Sequence, residues 1–496
     1  MRESGILLPI SSLPSQYGIG CFSKEAYEFV DQLALANQKY WQILPLGPTS
    51  YGDSPYQSFS TYAGNPYFID LNTLIEEGVL TKKECNLADF GSDSRFIDYG
   101  KLYKARYKLL RKAYERSNIS QNPEFQTFQE ENAWWLDDYS LFMAVKGFFQ
   151  DECWDKWPED IKKRYGYALD YYREQLYFEI EFQKYMQFEF SIQWKKLKTY
   201  ANENGIRIIG DIPIYVAYDS ADTWAHPELF QLDEENVPLA VAGCPPDGFA
   251  ADGQLWGNPL YRWDYHRRTG YTWWMQRLSY AFYLYDVVRI DHFRGFDEYF
   301  SIPYGDTTAR NGHWEKGPGI ELFHRMKEVL GERDVIAEDL GYVTDSVRQM
   351  VLESGFPGMK VFEFAFDSRD TGCAGDYLPH NYPVNSVVYT GTHDNATLIG
   401  WYQDIPKESR EMLRDYIHDY TTSDRSLHWS VICRVMGSPA RICMIPMQDY
   451  LGLNNTCRIN TPSTLGTNWK WRLLDGEFTS DLQNKIKKLV RIYQRN

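Results

Sequence analysis

Asp211, Asp291, Glu338 and Asp394 each stand where a short apolar run, rich in β-branched residues, gives way to turn-forming or polar ones: IRIIGDIP, VVRIDHFRG, VIAEDLG and VVYTGTHDN. Such a run is how a buried parallel strand reads. A (β/α)8 barrel displays its catalytic groups just past several strands of this kind, on its C-terminal face. Two or three convergent carboxylates without a metal-ligand cluster suit chemistry at the anomeric carbon of a sugar, where acid and nucleophile are both carboxyl groups. The pattern points to cleavage or transfer of a glycosidic bond.

Each residue also has a plainer reading. Arg289 and Asp291 lie two apart on one strand, so their side chains face the same way. A guanidinium beside a carboxylate favours the charged form that a nucleophile needs, but the pair reads equally well as an ion pair packing the barrel. Glu338 follows Val335, Ile336 and Ala337 and precedes, past Asp339, Leu340. An apolar collar disfavours the charged form and suits a general acid that later acts as base; a strand-terminal Glu is also a common helix cap. His393 and Asp394 can donate to or accept from sugar hydroxyls, and Asp394 can stabilise positive charge on a distorted ring. A His–Asp pair is often a cap too, and Asp211, two residues before Pro213, reads alone as structural. Four such positions on one face strengthen each.

Positioning them requires strands. Apolar runs and turn residues predict eight, at Gly5–Pro9, Tyr40–Pro45, Ile206–Pro213, Asp286–His292, Val335–Glu338, Lys360–Phe366, Ser386–Thr390 and Ile442–Pro446, the number a barrel needs. Helical stripes fall between them: Ala26, Phe29, Val30, Leu33 and Ala34 after the first strand, and Leu322, Met326, Val329 and Leu330 before the fifth. Thr344 reads as an N-cap and Gly355 as the stop of the following helix. About 160 residues separate the second and third strands. This stretch is rich in Lys, Glu, Tyr and Trp, with Phe182, Met186, Phe190, Trp194 and Leu197 along one helical face and Gly205 ending it. The expectation is an α/β fold in which residues 1–48 and 206–496 form the catalytic barrel and 49–205 are an inserted, mostly helical subdomain. Residues 241–262, dense in Gly and Pro, read as a long loop over the active face.

Composition narrows the partners. The 496 residues are about twice a minimal barrel of ~250. A net charge of −16 argues against nucleic acid and against anionic membrane surfaces, while a neutral substrate fits. Aromatic residues make up 16% of the chain, with 38 Tyr and 16 Trp; rings stack on the apolar faces of pyranoses, although most aromatics simply pack. The start, MRESGILLPI, does not read as a secretory signal, and no window approaches 18 apolar residues. Eight scattered cysteines without C-x-x-C pairs read as free thiols, and the expected location is cytoplasmic.

Longer motifs then carry a resemblance. YGDSPYQSFSTYAGNPYFIDL (51–71), GDIPIYVAYDSADTWAHPELF (210–230), GCPPDGFAADGQLWGNPLY (243–261), VRIDHFRGF (288–296), IAEDLG (336–341), GTHDN (391–395) and NWKWR (468–472) resemble the 4-α-glucanotransferases of glycoside hydrolase family 77, the amylomaltases or disproportionating enzymes. The similarity runs from GILLPISSLPSQYGIG to NWKWR, nearly the whole chain. It implies a TIM barrel of the α-amylase-like kind, with Asp291 as nucleophile, Glu338 as general acid/base and Asp394 as transition-state stabiliser. Arg289, His393 and Asp211 match residues that grip the glucose at the cleavage point. Ser54, Tyr56, Gln254, Trp256 and Asn460 match the donor and acceptor cleft, and Tyr51 and Tyr99 resemble aromatics of a second glucan-binding site. Around Asn460 the chain departs from many members, with Ile459 and Ser463 in place of Met and Gly.

The resulting expectation is a retaining 4-α-glucanotransferase acting on maltooligosaccharides and α-1,4-glucans of the starch or glycogen type. No metal or cofactor is expected, and neither nucleic acid nor membrane as partner. Two other readings use the same residues: an α-amylase-type hydrolase, and a catalytically silent glucan-binding protein.

Overall fold

The computed structural model describes residues 2–50, 52–246, 251–341, 343–366 and 374–496. Among them the strands are, in chain order, β1 (Glu3–Leu7), β2 (Tyr40–Gln42), β3 (Arg207–Ile212), β4 (Ala240–Cys244), β5 (Gln254–Pro259), β6 (Val287–Ile290), β7 (Glu298–Pro303), β8 (His313–Lys316), β9 (Val335–Ala337), β10 (Gly358–Val361), β11 (Ser386–Tyr389) and β12 (Ile442–Pro446). β1, β2, β3, β6, β9, β10, β11 and β12 close into a parallel barrel in which each strand lies beside its predecessor and β12 returns to β1. Each of the eight predicted strands falls on one of these. Their runs are buried along nearly their whole length, as strands walled by helices outside and side chains inside must be.

Two expectations need correction. Phe362–Phe366, read as the end of a strand, is a 3-10 helix, so β10 ends at Val361. Its buried aromatic run looks alike in either geometry. Residues 241–262 are more than a loop: β4 and β5 pair antiparallel and join β7 and β8 in a four-stranded sheet of order β5-β4-β7-β8. Gly243, one of the glycines that suggested a loop, serves the pairing. A Cβ on Gly243 would sit 2.1 Å from the Gln254 carbonyl oxygen, so only glycine allows β5 this close.

Helices enclose the barrel. α1 (Lys24–Leu35) buries Ala26, Phe29, Val30 and Leu33. Between β2 and β3 run α2 (Tyr99–Ser117), α3 (Pro123–Phe148) and α4 (Tyr177–Glu203). Asp98 caps α2, Asn122 caps α3 with Pro123 at its first position, and Gly205 follows α4 at a left-handed φ of 74°. On α4, Phe182, Met186, Phe190, Trp194 and Leu197 are all buried, and the helix packs against α1 and β3. A second apolar cluster, including Trp135, Phe142, Trp154, Trp157 and Trp224, lies apart from the main core. α5 (Thr272–Leu284) precedes β6, and α6 (Glu321–Leu330) precedes β9. α6 buries Leu322, Phe323 and Met326 but turns Val329 outward, against the expected stripe. α7 (Asp345–Ser354) is capped by Thr344 and ends at Gly355 in the left-handed region. Among the described residues no helix is long and apolar enough to cross a membrane, and none of the seven cysteines is in a disulfide.

Candidate active site

The parallel register decides which side chains meet. Asp211 pairs with Arg289 across β3 and β6, and Arg289 with Ile336 across β6 and β9. Both ladders continue one step further, with Asp291 N donating to Ile212 O at 3.0 Å and Glu338 N to Ile290 O at 3.1 Å. Residues two apart share a face, so Asp211, Arg289, Asp291 and Glu338 gather at the C-terminal mouth.

Arg289 ties the first three. It is 3% exposed and Asp211 1%. Its Nη1 donates to Asp211 Oδ2 at 2.6 Å and to Asp291 Oδ1 at 2.8 Å, while Nε points to Met359 Sδ at 3.4 Å. A buried cation stripped of such partners would destabilise the fold by about 3–5 kcal/mol. The guanidinium therefore stays where the carboxylates need it. Burial pushes the Asp211 carboxyl up to about 6, against the pull of Arg289.

Glu338 is fixed by main chain. His292, directly after Asp291, takes a left-handed φ of 51°, a conformation that costs a non-glycine residue about 1–3 kcal/mol. That turn aims the His292 N–H at Glu338 Oε2 at 2.7 Å, while Leu340 N donates to Oε1 at 2.9 Å. Burial and the nearby Asp291 charge nevertheless outweigh these donors and push Glu338 up to about 7. The His292 ring meets Trp256 edge-on at 4.9 Å, and burial lowers it to about 3, so it stays neutral.

The third group follows β11. Asp394 Oδ1 accepts from Asn460 Nδ2 at 2.6 Å, and Oδ2 lies 3.2 Å from His393 Nε2. Burial works against the charge, but His393, Asn460 and Arg289 bring this carboxyl down to about 2. The His393 ring stacks on Tyr56 at 5.2 Å and 13°. Tyr56 donates to Asp211 Oδ2 at 2.8 Å, its own proton held by burial and the Asp211 charge. Asp211, Tyr56 and His393 thus form one floor under the carboxylates. A carboxyl neutral near pH 7 beside an Arg-bonded one and a strongly ionised one is a division of labour suited to glycosidic bonds.

The remaining predicted residues are distributed unevenly. Ser54 Oγ accepts from Tyr56 N at 3.2 Å, and Gln254 Oε1 from Trp256 Nε1 at 3.0 Å, so each steadies an aromatic at the mouth. Tyr51 lies outside the described residues. Tyr99 is 8% exposed and donates its hydroxyl to the Trp469 carbonyl at 2.8 Å, leaving little ring for a ligand. One turn later on α2, Tyr103 is 50% exposed and, with Tyr99, lines a groove of 1710 Å³ shared with Gly52, Gln57, Tyr107, Gly257 and Leu465. The four-residue spacing of Tyr99, Tyr103 and Tyr107 was visible in the sequence; which of them faces out was not. Among the described residues no group of three or more His, Cys, Asp and Glu could hold a metal ion.

The family model described as 4-alpha-glucanotransferase matches residues 8–477. The chain is 50% identical to a 4-alpha-glucanotransferase of Clostridium butyricum, over 98% of this chain and 99% of that protein. It is 45% identical to another from Thermus thermophilus, over 100% of this chain and 99% of that one. Its structure matches an amylomaltase from Streptococcus agalactiae in complex with acarbose, with a TM-score of 0.96 and 40% identity, covering 100% of both chains. The chain belongs to the 4-alpha-glucanotransferase family.

Proposed function

We propose that this chain moves α-1,4-glucan segments between maltooligosaccharides by a retaining double displacement. Glu338 gives its proton to the glycosidic oxygen as Asp291 attacks the anomeric carbon. The C–O bond breaks, the leaving glucan departs with the proton, and a β-glucosyl ester forms on Asp291. The 4-OH of an acceptor then loses its proton to Glu338 and attacks the same carbon, freeing Asp291 and remaking an α-1,4 bond. Asp394, ionised far below neutral pH, stabilises positive charge on the ring in both steps. Over the two steps one α-1,4 bond is exchanged for another, so no nucleotide sugar is needed.

The observation that carries this reading is the placement of Asp291 and Glu338 on neighbouring strands, one residue past the paired Ile290 and Ala337, the first bonded to Arg289 and the second pushed up to about 7. Asp211, Arg289 and His393 grip the sugar at the cleavage point, and Ser54, Tyr56, Gln254, Trp256 and Asn460 line its approach. We assign 49–205 as a subdomain inserted into a barrel of 1–48 and 206–496. Its α2 carries Tyr99 and the more exposed Tyr103 along one groove, where a glucan beyond the cleavage point would stack. Cysteines without disulfides among the described residues suit a reducing cytoplasm, and a net charge of −16 suits neutral glucans over nucleic acid.

A 5-fluoro-glycosyl fluoride donor tests the reading by slowing breakdown of the ester. Mass spectrometry of the digested protein is expected to find the added sugar on the peptide containing Asp291. A label on Glu338 or Asp394, or none on a protein that consumes the donor, would refute the mechanism.

A further inference from the structure

Asp394 and Asn460 come from different loops, one after β11 and one after β12, yet Asn460 Nδ2 must stay 2.6 Å from Asp394 Oδ1. Several bonds join the loops behind them. Buried Asp449 accepts from Thr390 Oγ1 at 2.5 Å and Leu398 N at 2.7 Å. Asn455 Oδ1 accepts from Thr397 N at 3.0 Å, and Asn460 N donates to His393 O at 3.1 Å. Arg458 closes the set: its Nε donates to Asn460 O at 2.6 Å and its Nη2 to Asp394 O at 2.5 Å.

We infer that Arg458 is a positioning residue for Asp394, its guanidinium clamping the backbone of the carboxylate to the backbone of the amide that donates to it. The inference rests on the role proposed above for Asp394. Two divergent N–H groups on one rigid plane are what the clamp needs. Lysine, a point charge on a flexible stem, cannot hold both carbonyls in fixed relation. Arg458 acts through the main chain and leaves the carboxylate of Asp394 free for Asn460, His393 and the sugar. Burial disfavours the guanidinium's charge, and the carboxylates of Glu363, Asp394 and Asp404 offset part of that cost through space.

The test uses maltosyl fluoride, a donor whose leaving group needs no proton from Glu338, with fluoride release as readout. Arg458→Ala is expected to lower kcat about 10- to 100-fold, the scale on which a misplaced group slows a reaction, with KM within about twofold. In an Asp394→Asn background the same substitution should cost less than about twofold, because the residue it positions is already disabled. Millimolar guanidinium is expected to restore part of the rate to Arg458→Ala, while Arg458→Lys stays slow at unchanged KM. Equal losses in both backgrounds, a fall confined to KM, or full activity in Arg458→Lys would overturn the assignment. If Asp394→Asn alone released fluoride at the unmodified rate, the role of Asp394 would fail, which is a separate result.

Discussion

Glu338 sits between opposing pulls. Two backbone N–H groups favour its carboxylate, while burial and the Asp291 charge favour the acid, and the acid wins up to about pH 7. The first chemical step needs that proton. Its rate on maltotriose should therefore be level below pH 7 and fall about tenfold per unit well above it. With maltosyl fluoride, which needs no proton, the same limb should vanish; an identical fall with both donors would assign it to another group. The shift also bears on stability. A carboxyl raised in the folded state binds its proton there more tightly than in the unfolded chain, so stability falls as pH climbs from the unfolded value, about 4.3, to about 7. Glu338→Gln lacks that slope and should melt above the unmodified protein at pH 8 and not at pH 4. Asp291 allows a sharper statement. An amide cannot form the glycosyl ester, so Asp291→Asn should lose at least about a thousandfold in rate, roughly 4 kcal/mol of barrier, while still binding glucan in calorimetry. A variant keeping a tenth of the rate would move the nucleophile elsewhere.

At the scale of elements, β3 must approach its neighbours closely to deliver Asp211. A Cβ on Gly210 would lie 2.1 to 2.3 Å from three ring carbons of buried Tyr285. Gly210→Ala must then move the strand or the ring, and overpacking of this kind costs about 1–3 kcal/mol. The expected outcome is a lower Tm together with reduced activity, since the next residue is the Arg289 partner. An unchanged melting curve would mean that Tyr285 yields freely. The barrel strands were legible because each is a short apolar run closed by turn-forming or polar residues, four of them at a carboxylate, and burial on both faces leaves little else for such a run to do. β4 and β5 were not, because glycine and proline interrupt them and β5 is too exposed to show a continuous apolar run. Phe362–Phe366 misled for a related reason: a buried aromatic run does not distinguish a strand from a tight helix. The carboxylates could be read from position alone. How much of Tyr99, Tyr103 and Tyr107 is exposed to the groove could not, since it depends on how deeply each part of α2 is packed.

Over the whole molecule, the competition that matters is between water and a second sugar for the ester on Asp291. The carboxylates are common to transfer and hydrolysis; what lies around them differs. The groove of 1710 Å³ is lined by Gln57 and Gly257, next in sequence to Tyr56 and Trp256, by Leu465, and by Tyr103, Tyr107 and Phe182 on the helices between β2 and β3. A glucan held along it would keep an acceptor near the ester and displace water, and aromatic rings supply apolar faces for pyranoses at low entropic cost. Transfer conserves the number of glycosidic bonds, whereas hydrolysis creates one reducing end per bond cut. Given maltotriose alone, the protein should produce glucose and a ladder of longer maltooligosaccharides, starting with maltopentaose, with total reducing ends nearly constant. Chromatography of the products and a reducing-sugar assay on the same samples decide the matter. Reducing ends that climb as fast as maltotriose disappears, with no product longer than the substrate, would mean that water reaches the ester first and that the groove holds no acceptor.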